Sequence, residues 1–270
     1  MAKVHTGEIT THVQRLPAAN LPADGGEPPV VVFVHGLLTD SLASYYFTLG
    51  PAFAAAGIDV IMYDLRGHGR SDRPPTGYRL ESFVGDLVGV LDALGETRRV
   101  HVVGNSFGGT IATAFAAWHP DRVATVTMIE SEPPVAEWTR HMADGLTDAK
   151  NQLAREEVIG WISANHGAHT ARLSRGASRI LATTTLAEDV PAGRVIDDGL
   201  DALSGCPVLA IFGDESGLSA QVPDLEAKLM SCRTVVLAEQ GHSVLVERTE
   251  ETQELILRWV REHTLAEAVR

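Results

Sequence analysis

The 270-residue sequence holds only two cysteines, Cys206 and Cys232, too few for a disulfide framework. Each flanks a predicted strand and reads as a buried free thiol. Its eleven histidines are scattered, with no HExxH or CxxC spacing to gather a metal ion, so no metal and no organic cofactor is expected. Positive charge is also scarce. With 22 Lys and Arg against 35 Asp and Glu, the net charge is −13. Phosphates would be repelled, which argues against nucleic acid or a membrane as partner. No apolar run approaches the length needed to span a bilayer, and the opening MAKVHTGEITTHV lacks the apolar stretch of a signal peptide. A cytoplasmic protein is expected. Internal repeats and low-complexity tracts are missing as well.

What is present is an alternation of strand-like and helix-like segments, the pattern of a mostly parallel sheet with helices on both faces. Residues 7–16 alternate weakly, as an antiparallel edge strand would. The run 30–34 is continuously apolar, as expected of a strand buried on both faces. Further buried strands are predicted at 58–62, 100–103, 123–129, 207–212 and 234–237. Helices are predicted at 41–56, 81–95 and 107–118, and around Ile256, Trp259, Val260 and His263. Residues 133–204 break the rhythm: they show helical stretches and no convincing strand. The expected organisation is a core of 1–132 and 205–270 with a helical cap at 133–204.

Gly104-Asn105-Ser106-Phe107-Gly108-Gly109 falls between a predicted buried strand and a helix. A serine on so sharp a turn is held in strained backbone geometry, and its neighbours two residues away must be nearly free of side chain. The turn also puts the Phe107 N–H at a helix N-terminus, where negative charge is favoured. Three further motifs accompany it: His35-Gly36-Leu37-Leu38 after the first buried strand, Asp64-Leu65-Arg66-Gly67-His68-Gly69-Arg70-Ser71 after the next, and Gln240-Gly241-His242-Ser243 after the last. Together they make the chain resemble the α/β-hydrolases over nearly its full length. The resemblance implies a nucleophile at Ser106, a general base at His242, and an oxyanion hole from the N–H groups of Leu37 and Phe107. A serine here also disfavours the family's dehalogenases and epoxide hydrolases, which use aspartate. His35 and His68 read as structural parts of their turns. His166 and His169 read as solvated cap residues or as part of the pocket lining.

The acid departs from the common pattern. Most relatives carry it three residues after a glycine in GxxD, yet here Gly213 is followed by Asp214, Glu215 and then Ser216 in that slot. A second slot follows the strand after the nucleophile helix, as in some dehalogenases and polyketide-releasing thioesterases, and it holds Glu130. Glu130 is therefore the first candidate, Asp214 the alternative, with Glu132 and Glu215 behind them. Trp138 and Trp161 are the candidate aromatic lining of the substrate pocket.

The resemblance implies hydrolysis of a small-molecule ester or thioester, with natural-product (polyketide) metabolism as one expected setting and a carrier-protein-bound thioester as one expected form of the substrate. A carbon–carbon bond hydrolase of aromatic ring-cleavage products and a hydrolase-fold ligand receptor are the alternatives. Oligomeric state is left open. A fluorophosphonate probe is expected to label the peptide containing Ser106 and to leave Ser106→Ala unlabelled. Labelling elsewhere with Ser106 untouched would contradict the nucleophile assignment.

Overall fold

The computed structural model describes residues 2–21, 25–196 and 199–268. In chain order the elements begin with β1 (Ala2–His5), β2 (Thr10–Leu16), β3 (Val30–Val34), α1 (Ala43–Tyr46), α2 (Gly50–Ala55) and β4 (Asp59–Tyr63). Then come α3 (Leu80–Ala93), β5 (Val100–Asn105), α4 (Phe107–Trp118) and β6 (Val123–Ile129). Between β6 and β7 lie α5 (Ala136–Leu153), α6 (Glu156–Thr183) and α7 (Leu186–Asp189). The chain closes with β7 (Val208–Gly213), α8 (Val222–Lys228), β8 (Cys232–Leu237), α9 (Val244–Glu247) and α10 (Thr249–Ala268).

The strands form one eight-stranded sheet in the order β1-β2-β4-β3-β5-β6-β7-β8. β1 and β2 pair antiparallel, β2 joins β4 antiparallel, and every pairing from β4 to β8 is parallel. The sheet reads this way because β3, β4, β6 and β7 are mostly apolar, with Asp59, Thr125 and Thr127 the polar exceptions, and buried at every position. One face packs on α3 and α4 through Phe83, Leu87, Ile111 and Phe115, the other on α2 and α10 through Phe53, Ile256 and Trp259. Register aligns the carboxyl ends: Val34 pairs with both Tyr63 and Gly104, and Asn105 with Ile129. Loops after these strands therefore meet on one rim, where open parallel sheets bind ligands.

Two elements differ from the sequence expectation. The helix expected over 41–56 is two short helices, because Pro51 lacks an N–H and would clash with the carbonyl four residues back. The hairpin strand β1 escapes periodicity altogether, since its four residues lie mostly exposed on the sheet edge. In the helical segment between β6 and β7, α6 is broken at Gly167, whose φ of 85° and ψ of 163° are non-helical.

Beneath the turn after β4, Arg66 meets Asp86 of α3 through two bonds, Nε to Oδ2 at 2.7 Å and Nη2 to Oδ1 at 2.8 Å, with both side chains buried. Removing one member of such a pair leaves a buried, unpaired charge. Arg66→Met is expected to destabilise the fold by about 3–5 kcal/mol, read as a shift in the urea midpoint at unchanged slope. A shift within error of zero would contradict it.

Candidate active site

Ser106 caps the junction of β5 and α4 with φ 53° and ψ −125°, a conformation that costs an L-residue energy and needs a rigid surround. The surround is steric. A Cβ on Gly108 would lie 2.0 Å from the Val34 carbonyl oxygen, and one on Gly104 would lie 2.2 Å from the Gly108 carbonyl carbon. Only glycine permits these approaches. The Ser106 N–H donates to the Ile129 carbonyl at 2.8 Å, tying the turn to the end of β6.

His242 follows β8 on a loop that packs against Gly213, where a Cβ would meet the Gln240 carbonyl oxygen at 2.1 Å. Its Nε2 stands 3.2 Å from Ser106 Oγ and its Nδ1 stands 3.0 Å from Glu130 Oε2. With the proton on Nδ1, the ring donates to Glu130 and accepts from Ser106. The three side chains form one hydrogen-bonded line.

Glu130 itself is fully buried at the end of β6, with φ 48°. Its N–H donates to the Ile211 carbonyl, and its Oε1 accepts the Gly213 N–H. Burial pushes the carboxyl pKa up. Hydrogen bonds from His242, the Ser216 hydroxyl and the Gly213 N–H outweigh that, and the net shift is down. The carboxylate stays ionised although buried. Ser216, in the slot most relatives give to the acid, is thus one of its donors, a role that no feature of the sequence signals.

The other carboxylates lie elsewhere. Asp214 Oδ1 accepts the Gln240 N–H at 3.2 Å, bracing the histidine loop from outside. Glu215 is exposed. Glu132 pairs its Oε1 with His141 Nδ1 at 3.0 Å.

The loop after β3 is held against the serine: a Cβ on Gly36 would lie 3.4 Å from Ser106 Cβ. Leu38 adopts φ 67° and donates its N–H to His68 Nε2 at 2.8 Å. His68 Nδ1 donates to the Arg66 carbonyl at 2.8 Å, so the ring must be neutral with Nε2 free to accept. His35 does likewise, accepting the Leu65 N–H at 2.9 Å. Burial drives the His68 pKa down from 6.5 to about 3, and the nearby His35 acts in the same direction. Among the described residues four non-glycines have positive φ: Leu38, Ser106, Glu130 and Glu239. Three border the site, and the fourth leads into the His242 loop. The Phe107 N–H, first in α4, has no intrahelical acceptor.

A cavity of about 520 Å³ opens over Ser106 and His242. Its apolar wall comes from Trp138, Met142 and Leu146 of α5 and from Leu218, while Leu37 and Phe107 line its base. Trp138 is almost fully buried and stacks on Phe107 with centroids 6.3 Å apart. Trp161 does not share this place. It is 59% exposed on α6, meets His166 edge-to-face, and is not part of the cavity wall. Its expected place in the substrate lining is therefore corrected: Ile159 is the residue of this helical turn that is buried, and Trp161, two positions on, faces solvent. His166 and His169 are exposed too. A second cavity of about 300 Å³, lined by His12, Asp64 and Phe47 among others, shares no residue with the first. Among the described residues no group of three metal-ligating side chains occurs, and no helix is long and apolar enough to cross a membrane.

A family model for the alpha/beta hydrolase fold matches residues 29–171, more than half of the chain. The chain belongs to the α/β-hydrolase fold family. Epoxide hydrolase B of Mycobacterium tuberculosis is 42% identical over 113 residues, covering 41% of this chain and 31% of that protein. A bifunctional esterase/perhydrolase of Acinetobacter calcoaceticus is 32% identical over 134 residues, 47% of each. The chain thus spans 31–47% of the length of these curated relatives. The fold extends further than the sequence likeness. A carboxylesterase structure from Nitrososphaera gargenis superposes with a TM-score of 0.73 at 20% identity, covering 98% of this chain and 100% of that one.

The buried neutral histidines of this α/β-hydrolase give it an acid limit. His101, held by Thr125, is likewise pushed down to about 4 by burial. Unfolded imidazoles bind a proton below about pH 6.5 that the folded ones refuse. Stability is expected to be full above that pH and to fall as pH drops toward 3–4, by up to about 1.4 kcal/mol per pH unit for each histidine. Thermal melts from pH 7 to 4 check this, with His68→Gln flattening the slope. A Tm independent of pH over that range would contradict it.

Proposed function

We propose that the chain is a serine hydrolase of neutral carboxylic esters, working through an acyl-enzyme on Ser106. The observation that carries this reading is the line from Ser106 Oγ through His242 to Glu130, with contacts of 3.2 and 3.0 Å. His242 Nε2 takes the Ser106 proton as Oγ attacks the carbonyl carbon. Negative charge developing on the carbonyl oxygen is received by the N–H groups of Leu37 and Phe107. Glu130 holds the ring in the right tautomer and offsets its positive charge. The imidazolium then protonates the leaving alcohol, and His242 next activates water to release the acid. The helices of 133–204 act as the cap that shapes the pocket.

The cavity wall favours a neutral substrate. It includes Glu132 and no lysine or arginine, so a carboxylate or phosphate group would enter without a counter-charge. This weighs against the dienoate products of ring cleavage. An aspartate nucleophile, as in epoxide hydrolases, is replaced here by Ser106. One observation supports a second reading: Glu130 occupies the acid slot that polyketide-releasing thioesterases resemble, and the same chemistry cleaves a thioester.

A panel of p-nitrophenyl esters, acyl thioesters and a dienoate tests the assignment, with the neutral esters expected to turn over fastest after an initial burst. No burst and no turnover of any ester would overturn it. Glu130→Gln is expected to lower kcat by about 10²–10⁴-fold, and Asp214→Asn by far less. A larger loss from Asp214→Asn would move the acid role to that residue. His242→Ala is expected to be nearly as inactive as Ser106→Ala, with little further loss when the two are combined. Losses that simply multiply in the double variant would contradict the base assignment.

A further inference from the structure

We propose that His35 and His68 are positioning residues of the oxyanion hole. Crossed between the loops after β3 and β4, the two rings fix the peptide planes that meet at Leu37 and so aim its N–H at the reacting carbonyl oxygen. The proposal rests on the ester-hydrolase reading above.

The pairing is reciprocal. His35, after β3, accepts the Leu65 N–H of the loop after β4 at 2.9 Å. His68, in that second loop, accepts the Leu38 N–H of the first at 2.8 Å. Each ring donates its other N–H to a carbonyl of its own loop, His35 Nδ1 to Gly36 at 2.7 Å and His68 Nδ1 to Arg66 at 2.8 Å. Both side chains are buried, with ring centroids 5.5 Å apart, so water does not compete for these bonds.

The bond to Gly36 acts on the reacting donor directly. A trans peptide is planar, and the Gly36 carbonyl points opposite to the Leu37 N–H in the same plane. Holding the one aims the other. The next plane is held at both ends: the Leu37 carbonyl accepts the Thr39 N–H at 2.9 Å, and the Leu38 N–H goes to His68. A bond spanning two residues, across a Leu38 at φ 67°, is the rare and strained form of γ-turn. Such strain relaxes unless the surroundings hold it. The Leu37 N–H itself has no acceptor among the described residues, and Leu37 lines the cavity over Ser106.

The test separates two isosteres of one ring. His68→Gln can place its amide oxygen where Nε2 stands and keep the Leu38 bond, whereas His68→Asn, one methylene shorter, reaches only as far as Nδ1. Both are assayed with p-nitrophenyl butyrate, and with a trifluoromethyl ketone and its methyl ketone analogue as inhibitors. Ser106 Oγ adds to the carbonyl carbon of the trifluoromethyl ketone, its proton passes to His242, and the carbonyl electron pair becomes an oxyanion in the hole. The methyl ketone binds without that step.

Losing an oxyanion donor outright costs about 10²–10³ in kcat, so misaiming one in His68→Asn should cost about tenfold or more, with KM little changed. Trifluoromethyl ketone affinity should fall in parallel, and methyl ketone affinity should not. His68→Gln should stay close to wild type in all three. His101→Gln, which removes a buried histidine at the far end of β5, should lower Tm alone. Should His68→Asn not fold, the His35 variants carry the test in reversed order, because Gly36 is bonded from Nδ1: His35→Gln should show the loss and His35→Asn should not. A folded His68→Asn with the kcat of wild type, or a loss that affects both ketones alike, overturns this proposal alone. Wild type that hydrolyses no ester and takes no fluorophosphonate label overturns the parent reading, and this one with it.

Discussion

The approach of Gly108 to the Val34 carbonyl is the contact on which the site depends. With a Cβ only 2.0 Å from that oxygen, any other residue would drive α4 away from β3. The same closeness lets β5 turn into α4 without an intervening loop, and it locks Ser106 at positive φ. From there the consequences are geometric. Ser106 bonds to Ile129 at the end of β6, and Glu130, the next residue, bonds through its N–H to Ile211 on β7. Three adjacent strand ends are thereby pinned to one another, and the side chains between them have little freedom. Strain held in a backbone this way persists only where the surroundings over-determine it.

Histidine serves two opposite purposes in this architecture. His35 and His68 are buried, neutral acceptors that tie backbone amides of the loops after β3 and β4. For His68, burial keeps the ring from titrating in the working range. His242 is half-exposed, hinged after Gly241, and flanked by a hydroxyl on one nitrogen and a carboxylate on the other. Burial separates the two kinds. The carboxylate partner is stabilised by convergent donors, since a fully buried charge with fewer bonds would protonate instead. Glu130 collects bonds from Gly213, His242 and Ser216. Losing the carboxylate from the usual position after β7 leaves room there for a hydroxyl that supports the relocated one.

Much of this was legible in the sequence, for identifiable reasons. Continuous β-branched runs at 30–34 and 123–129 announce strands buried on both faces, and the parallel sheet follows from them. Ser106 is marked by glycines that sterics demand, so its turn can be read from residue types alone. Glu130 was legible as the first candidate among four carboxylates and no further, because contact with His242 depends on register between β6 and β7, which periodicity does not encode. Trp161 misled, since an apolar residue on a helix says nothing of which neighbour covers it. Ser216 carried no signal, because it matters through a single hydrogen bond to Glu130. β1 was missed because an exposed edge strand need not alternate.

The most direct test of the account is the low-field proton NMR spectrum of the protein with ¹⁵N-labelled histidine. The His242 Nδ1 proton, shared with Glu130, should give a resolved downfield signal coupled to nitrogen. It should vanish in Glu130→Ala and persist in Asp214→Ala. A signal that survives loss of Glu130 and disappears with Asp214 would contradict the account at its centre.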